Sequence, residues 1–552
     1  MKTETLQKEN EILKSRIVAL ETEKERLESD VSDLSSNNSN LLSKVSQLST
    51  LTAKLEEQVS LLQLLHFGTK SEKMTSEDKK TASLFNEAED AAFKQQNEEE
   101  EEKVTETCEV KSHPRRSIKK AGRTPIDESV PREVKEYDID EEDKTCACGT
   151  ALTCIGEDVT ERLKLYPIKV TALQERKKKY VCRNCEGLES EDEKGVHTAE
   201  GPKHLIPGSV ADESLIAWSI AEKFEYALPF YRQSKRFGQI GAPIPRATLS
   251  NLSIKASEYC EPIYTLLKEN ILKSPVINAD ETRVQVLGEP GRKNQSKSWM
   301  WVFMGGEPDK KSVIFQYKTG RSHEIPYDFL SGYSGWLQTD DYEAYHTAVR
   351  KLKTEQDVKI NHVLCWAHAR RRFYQYWESS KDKDAKKIIE LIKQLFELED
   401  LRSKFSEKGF VKQRRNRAGP IFDSLKQLLM DCYPQTPPSL SFGRAISYTL
   451  DNWEQLVTYV DHPYLTPSNN AAERAIRPFV IGRKNWLFSG SPKGAKGSAI
   501  LYSLVESAKL HGLSAFEYLH YIFRKIPYCQ SSEDYAALLP FNASSEQLKL
   551  EG

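Results

Sequence analysis

Three acidic residues that lie far apart in the sequence are the strongest candidates for chemistry. Asp280 lies within a strand-like segment, Asp340 ends another, and Glu473 follows a segment that can begin a helix. If the fold brings them together, three carboxylates can hold two Mg²⁺ or Mn²⁺ ions about 4 Å apart, one activating a water or 3′-hydroxyl and the other stabilising the leaving oxygen. Each residue alone is more commonly a turn residue or a solvated one, so the prediction depends on their joint placement.

The segment that contains Asp280 and Asp340 has the element order of an α/β domain. Its pattern predicts three consecutive strands, then helix, strand, helix and strand, at Pro275–Leu287, Trp299–Met304, Ser312–Tyr317, Glu324–Leu330, Gly335–Asp340, Ala344–Leu352 and Lys359–Cys365. This order, with a further helix after it, matches a ribonuclease-H-like domain. In that topology the first and fourth strands are central neighbours, which would place Asp280 beside Asp340.

A later helix must supply the third carboxylate. Thr466 is a plausible cap for a helix with Pro467 in its first turn, and Asn469, Glu473 and Arg477 then share one helical face. The intervening segment, about residues 376–461, is mostly helical in pattern. We interpret it as a helical insertion into the catalytic fold.

Four residues near the predicted carboxylate site have competing interpretations. Glu281 and Asp341 neighbour the proposed ligands, but consecutive residues of a strand point to opposite faces. Cys365 and His368 could form a second metal site or a hydrogen-bonded brace near the carboxylates. Because only two ligands are visible, we favour the brace.

The charge of the chain is balanced overall but unevenly distributed. The sequence has 80 Lys and Arg against 82 Asp and Glu, a formal net charge of −2, which argues against nucleic-acid binding along the whole length. Acidic residues collect at Glu98–Glu102, whereas basic residues collect at Arg176–Lys179, Arg370–Arg372 and Arg414–Arg417. This asymmetry is typical of a protein with modules that contact phosphate.

The segment before the predicted catalytic domain resembles a helix-turn-helix. A helix with Leu215, Ile216, Ile220 and Phe224 on one face precedes a second helix near Pro229–Phe237 and a turn at 238–245. A third helix would bury its leucines and leave four polar residues available to DNA: Arg246, Thr248, Ser250 and Asn251. The alternative is a helical bundle with a purely structural role.

Four cysteines at short spacing predict a small zinc-ribbon-like module. Cys182 and Cys185 have the two-residue gap that lets two thiolates reach one zinc ion. The partner pair, Cys146 and Cys148, has a one-residue gap that strains chelation, and Cys154 could replace one of them. The alternative to bound zinc is a β-rich module with small buried thiols.

The N-terminal segment has an unbroken leucine heptad repeat from Leu6 to Leu62. With leucine at position d, position a is mostly β-branched, a mixture that favours a parallel two-stranded coiled coil and hence a homodimer. Asn10 and Asn38 at position a would fix register and strand number at a cost in stability. The alternative is a single long helix that packs within its own chain.

The chain as a whole is expected to be a multidomain α+β protein. We place the boundaries at 1–66 (leucine zipper), 67–140 (charged linker), 141–200 (cysteine module), 201–272 (helix-turn-helix), 273–505 (catalytic domain) and 506–552 (C-terminal helical element). No apolar run approaches the roughly 18 residues that span a bilayer, so we expect a soluble, cytoplasmic protein.

At several of these segments the sequence resembles transposases of the insertion sequence 66 family. The matching stretches are Ala279–Thr282, Val284–Leu287, Leu337–Asp340 with Tyr342 and Tyr345, Cys365–Arg371, Asn469–Arg474 and Gly482–Phe488. One departure is Ser468, where the family usually has aspartate, and another is the opening cysteine pair, where Thr145 and Cys146 shift the spacing. The similarity extends over nearly the whole chain.

The resemblance implies a DDE triad at Asp280, Asp340 and Glu473 that cleaves and transfers DNA strands at terminal inverted repeats, in a bacterial, nucleoid-associated enzyme. It also implies target DNA and the accessory proteins of the same element as partners. The best candidates for phosphate contacts are Arg370, Arg371, Arg477, Arg483 and Lys484. Two alternatives stay open: a zipper-dimerised DNA-binding regulator or inactive copy, and a nuclease or resolvase without strand transfer.

Overall fold

The computed structural model describes residues 2–67, 170–181 and 196–548. These residues divide into two compact units, and the smaller one contains the described residues between 170 and 200 together with Gly238–Ala242. Its regular structure is one antiparallel pair, β1 (Lys179–Val181) and β2 (Val196–Thr198). The predicted zinc ligands Cys146, Cys148, Cys182 and Cys185 lie outside the described residues.

The larger unit begins with α1 (Lys2–Phe67), one uninterrupted helix of 66 residues over the predicted leucine zipper. Its apolar seam is open to solvent in the single chain, since Leu20, Leu34 and Leu48 are each more than 60% exposed. An exposed stripe of this size is unfavourable in water unless another surface covers it.

Between residue 200 and the large sheet the chain forms α2 (Glu213–Phe224), α3 (Phe230–Gln239), α4 (Arg246–Tyr259) and α5 (Glu261–Leu272). The predicted inner face of α2 is buried, and the Asp212 side chain caps the helix by accepting from the Leu215 N–H at 3.1 Å. Phe230, Phe237 and Leu249 form a small separate core with Ile244 from the loop before α4. The first three helices therefore form as expected, joined by a turn.

The central sheet has five strands in the spatial order β5-β4-β3-β6-β7. They are β3 (Val276–Gln285), β4 (Lys297–Gly305), β5 (Ser312–Lys318), β6 (Gly335–Thr339) and β7 (Ile360–Leu364). β3, β4 and β5 form an antiparallel meander, whereas β6 pairs in parallel with both β3 and β7. Two helices, α6 (Glu324–Phe329) and α7 (Glu343–Gln356), connect β5 to β6 and β6 to β7. The predicted adjacency of the first and fourth strands of this sheet is confirmed.

The segment after β7 is helical and has its own apolar core. It contains α8 (Trp366–Ser380), α9 (Lys383–Glu397), α10 (Glu407–Cys432), α11 (Ser441–Asp451) and α12 (Trp453–Val457), with short 3₁₀ turns between them. The side chain of Arg414 is fully buried here, where it pairs with Glu399 at 3.0 Å and donates to three backbone carbonyls. Within the basic cluster Arg414–Arg417, Arg414 is therefore an internal residue whose charge stabilises the helical segment.

The chain then returns to the sheet through α13 (Asn470–Trp486) and α14 (Pro492–Leu510), followed by α15 (Ala515–Lys525), α16 (Ser532–Ala537) and α17 (Ser545–Leu548). α14 lies along strand β5, where the hydroxyls of Ser507 and Ser503 accept from the N–H groups of Val313 and Phe315 at 3.0 and 2.8 Å. Among the described helices, none is long and apolar enough to cross a membrane.

Candidate active site

Asp280, Asp340 and Glu473 converge at one end of the parallel part of the sheet. Parallel pairing of β3 with β6 ends at Asn278 and Gln338, so Asp280 and Asp340 each lie two residues beyond the last pair. Glu473 lies in the first turn of α13 and is only 8% exposed. In sheets with parallel strands, the carboxyl ends of the strands are the usual place for a binding site.

The carboxylates are close enough to perturb one another. Burial raises the pKa of Asp280 well above its usual value, and the charges of Glu281, Asp340 and Glu473 raise it further. Within the described part of the chain, Glu473 Oε1 is buried and has no hydrogen-bond partner. Oxygen ligands of this kind, crowded and incompletely paired, suit a hard divalent cation, which would neutralise their mutual repulsion.

Glu281 belongs to a different environment from Asp280. It pairs across the ladder with Trp301, and its carboxylate accepts hydrogen bonds from Arg321 Nε at 2.8 Å and from the Tyr345 hydroxyl at 2.6 Å. These partners occupy both oxygens of Glu281.

Arg321 is a site residue that the sequence did not reveal. It follows β5 as a single arginine in a loop, with no periodic signal, and its guanidinium lies 3.5 Å from the ring centroid of Tyr342 and 4.6 Å from that of Trp299. Its charge also neutralises the buried side chain of Glu281, which is 1% exposed. Cation–π contacts and an ion pair therefore fix this arginine beside the carboxylates.

Asp340 and Asp341 are also separated by their partners. Asp340 Oδ1 accepts from the Tyr342 N–H at 3.2 Å, whereas Asp341 Oδ1 lies 2.8 Å from His346 Nε2 and Asp341 Oδ2 accepts from Asn452 at 3.3 Å. Asp341 thus interacts with His346 and Asn452, whereas Asp340 is the aspartate whose charge raises the pKa of Asp280.

An amide network fixes the start of α13 against the sheet. Asn469 Nδ2 donates to the carbonyl of Ala279 at 2.8 Å, Asn278 Nδ2 donates to Asn469 Oδ1 at 3.0 Å, and Gln338 Nε2 donates to the carbonyl of Thr466 at 2.6 Å. The predicted threonine cap is wrong: the helix begins at Asn470, and the Thr466 hydroxyl donates to the carbonyl of Ser468. Side-chain amides from two strands position this helix instead.

Cys365 and His368 lie against Glu473, at the start of α8. Cys365 Sγ accepts from the Asn469 N–H at 3.2 Å, and His368 Nδ1 is 4.0 Å from Glu473 Oε1. Burial alone lowers the pKa of His368, but Cys365, Glu473 and Asp340 together raise it to about 10. The predicted contact of this pair with the carboxylate site is present.

The predicted phosphate contacts are distributed around α8 and α13. Arg371 is close enough for its charge to interact with Glu473, and Arg370 lies 5.7 Å from the ring of Tyr374. Arg477 is half-buried one turn after Glu473, and Lys484 is exposed near the end of α13. Arg483 Nη1 donates to the Thr282 hydroxyl at 3.1 Å and to the carbonyl of Arg283, which ties α13 to β3.

The predicted DNA-reading residues lie on α4. Arg246 and Asn251 are exposed, Thr248 and Ser250 are half-buried, and Leu249 and Leu252 face inward as expected. These four polar residues lie on a different element from the three carboxylates.

Comparison with other proteins gives a consistent picture over most of the chain. Residues 208–497 match the family described as Transposase IS66 family, and residues 503–541 match the IS66 C-terminal element. Residues 143–186, which include the four predicted zinc ligands, match the zinc-finger binding domain of transposase IS66. Residues 54–134 match a family described as Transposase C of IS166 homeodomain.

Curated relatives from Sinorhizobium fredii (strain NBRC 101917 / NGR234) cover most of the chain. The uncharacterized protein y4jD is 29% identical over 429 residues, 76% of this chain and 82% of its own length. The uncharacterized protein y4hP is 27% identical over 425 residues, 73% of this chain and 74% of its own length. Taken with the family match over residues 208–497, these similarities show that the chain belongs to the IS66 family of transposases.

Proposed function

We propose that the chain is a DDE transposase that binds the terminal inverted repeats of an insertion sequence and performs metal-dependent strand cleavage and strand transfer. The observation that carries this proposal is the convergence of Asp280, Asp340 and Glu473 from two adjacent strands and one helix. The raised pKa of Asp280 supports it, because a site that disfavours its own ionised carboxylates gains stability when it binds cations.

In the proposed mechanism, Asp280, Asp340 and Glu473 hold Mg²⁺ or Mn²⁺. When bound at such carboxylates, these ions activate a water or 3′-hydroxyl and stabilise the leaving oxygen of a phosphodiester. The residues around them have positioning roles: Asn469 fixes Glu473 over the sheet, and Arg321 keeps Glu281 paired so that its charge does not compete for the ions.

We further propose that the five-stranded sheet with its flanking helices is a ribonuclease-H-like domain. Support comes from the strand order β5-β4-β3-β6-β7. In this sheet β3, β6 and β7 are parallel to one another, and β4 runs antiparallel to both of its neighbours. The helical segment between β7 and α13 would then be an insertion that lies between the second and third catalytic carboxylates.

DNA would be recognised by several surfaces. In this proposal Arg246, Thr248, Ser250 and Asn251 of α4 read the inverted repeat as a helix-turn-helix, and Arg370, Arg371, Arg477 and Lys484 contact phosphates. Arg483 would contact phosphate through the guanidinium nitrogens that do not hold β3. Cys146, Cys148, Cys182 and Cys185 would bind zinc in the module before this helix bundle.

The remaining proposals concern assembly. The exposed leucine seam of α1 supports a parallel homodimer, because pairing of two such helices would bury it. Accessory proteins of the same element and target DNA would complete the complex, which we place at the bacterial nucleoid.

The decisive experiment is nicking and strand transfer on a labelled end of the element, in Mg²⁺, with the wild-type chain and the Glu473→Gln variant. The matched control is Glu454→Gln, which changes a glutamate of the helical segment outside the carboxylate cluster. Loss of activity in Glu473→Gln alone would support the DDE chemistry. An inactive wild type, even with accessory proteins present, would favour a DNA-binding regulator or an inactive copy, and nicking without strand transfer would favour a nuclease.

A further inference from the structure

Cys365, His368 and Glu473 form a cluster of mixed donors that the carboxylate chemistry does not require. Their ligand atoms, a thiol sulfur, an imidazole nitrogen and a carboxylate oxygen, all lie within 4.8 Å of one another. Cys365 and His368 are separated by two residues at the start of α8, and Glu473 comes from the start of α13. Thiolate and imidazole are ligands for zinc-class cations and are poor ligands for magnesium.

The distance between the nitrogen and oxygen donors is near that of a zinc site. Tetrahedral zinc with bonds of about 2.0–2.3 Å sets its ligand atoms about 3.3–3.6 Å apart. The 4.0 Å between His368 Nδ1 and Glu473 Oε1 would therefore have to shorten by only about 0.7 Å, a change within the reach of small side-chain rotations. Three protein ligands would leave one position open.

Two of the three donor atoms lack a hydrogen-bond partner among the residues that the structure describes, and all three are close enough together to share a cation. In the described residues, His368 Nδ1 and Glu473 Oε1 are both buried without a hydrogen-bond partner, and Glu473 is only 8% exposed. Cys365 is fully buried, and its sulfur accepts a hydrogen bond from the Asn469 N–H at 3.2 Å. His368 interacts with Cys365 through a side-chain hydrogen bond, but a brace that also held Glu473 would pair the imidazole nitrogen with the carboxylate oxygen at hydrogen-bond distance, and these two atoms are 4.0 Å apart.

We propose that Cys365, His368 and Glu473 bind one zinc-class cation at a site separate from the cysteine module. Because Glu473 is also a proposed ligand for the catalytic ions, zinc bound here shares a carboxylate with them. This consequence rests on the proposed function: zinc should raise the Mg²⁺ concentration that strand cleavage requires. The zinc site itself does not depend on catalysis.

Zinc stoichiometry of the full chain tests the site. Zinc per chain would be measured after dialysis for the wild type, Cys365→Ser and the matched control Cys260→Ser, which makes the same change at another fully buried cysteine. The same comparison would be repeated in a chain that carries Cys182→Ser and Cys185→Ser, to remove the contribution of the cysteine module. Circular dichroism would verify that each variant is folded, and His368→Ala would replace Cys365→Ser if that variant does not fold.

We expect Cys365→Ser and His368→Ala to bind one zinc equivalent fewer than the wild type in both backgrounds, and Cys260→Ser to bind as much as the wild type. With Co²⁺ as a probe, the thiolate charge-transfer absorption should fall in Cys365→Ser. Equal stoichiometry in the wild type and the cluster variants would overturn the proposal and leave a brace. If the cluster variants bind less zinc but the wild type does not cleave DNA strands, the proposed function would be refuted and the zinc site would stand.

Discussion

The side-chain amide of Asn469 donates a hydrogen bond to the carbonyl oxygen of Ala279 at 2.8 Å, so the residue before α13 is tied directly to the residue before Asp280. Asn469 Oδ1 also accepts from Asn278, one residue earlier on the same strand. Through this one side chain, the separation of Asp280 from Glu473 is set by β3 and the first turn of α13.

Asn469→Ala should therefore lower cleavage more than DNA binding. Loss of both hydrogen bonds lets α13 shift, and a misplacement of about 1 Å in a catalytic group can cost about 100-fold in rate. The measurement is the single-turnover rate on a labelled end, with end binding measured by gel shift. The control is Asn485→Ala, which removes an amide-to-carbonyl bond at the exposed end of the same helix; an equal rate loss in both variants would contradict the positioning role.

Asp280→Asn should abolish cleavage and leave end binding close to the wild-type value. The substitution removes charge from the carboxylate cluster but leaves the exposed face of α4 unchanged. Cleavage and gel-shift assays on the same substrate would measure both. Loss of binding by a folded Asp280→Asn chain would count against the separation of reading from cutting.

The same variant should be more stable than the wild type in EDTA at neutral pH. Because the folded-state pKa of Asp280 is raised, the folded protein binds a proton at this carboxylate more tightly than the unfolded chain does. Protonation of Asp280 therefore stabilises the folded wild type at low pH, and this stabilisation is lost as the pH rises through the folded-state pKa. Thermal unfolding of both chains should show the stability difference shrinking as the pH is lowered. Addition of Mg²⁺ should stabilise the wild type selectively.

Arg321→Met should destabilise the fold by about 2 kcal/mol, because it leaves the buried carboxylate of Glu281 without its ion pair. The double variant Arg321→Met with Glu281→Gln should recover most of that loss, since no unpaired charge then stays buried. Chemical unfolding of the four chains of this cycle measures the coupling. Additive effects of the two substitutions would show that the ion pair contributes little.

Asn38→Val should change the oligomeric state that α1 supports. In the predicted heptad Asn38 is at position a, where a pair of asparagines favours a two-stranded coiled coil. Valine at this position would stabilise the coiled coil but weaken its preference for two strands. Sedimentation of the full chain would measure the distribution of oligomers, with Asn40→Val as the control at position c, away from the seam. A monomeric wild type would eliminate the proposed zipper.

The sequence predicted the positions of the three carboxylates because alternation and helical period identify strands and helices over long segments. It also predicted that Asp280 and Asp340 lie on neighbouring strands, because that follows from the order of the elements. It missed Arg321 and the buried role of Arg414, since a single arginine carries no periodic signal and its partners come from distant parts of the chain. The threonine cap failed for a similar reason: tertiary hydrogen bonds from Asn278 and Gln338 decide where α13 starts.

The serine contacts of α14 also bear on how the sheet avoids pairing with a strand of another molecule. β5 is an edge strand of the sheet, and an uncovered edge offers N–H and C=O groups to which a strand of another molecule can add. Ser503 and Ser507 occupy two of those N–H groups. A chain truncated before residue 503 would expose these edge groups, so we expect it to be more prone to β-aggregation than the full chain.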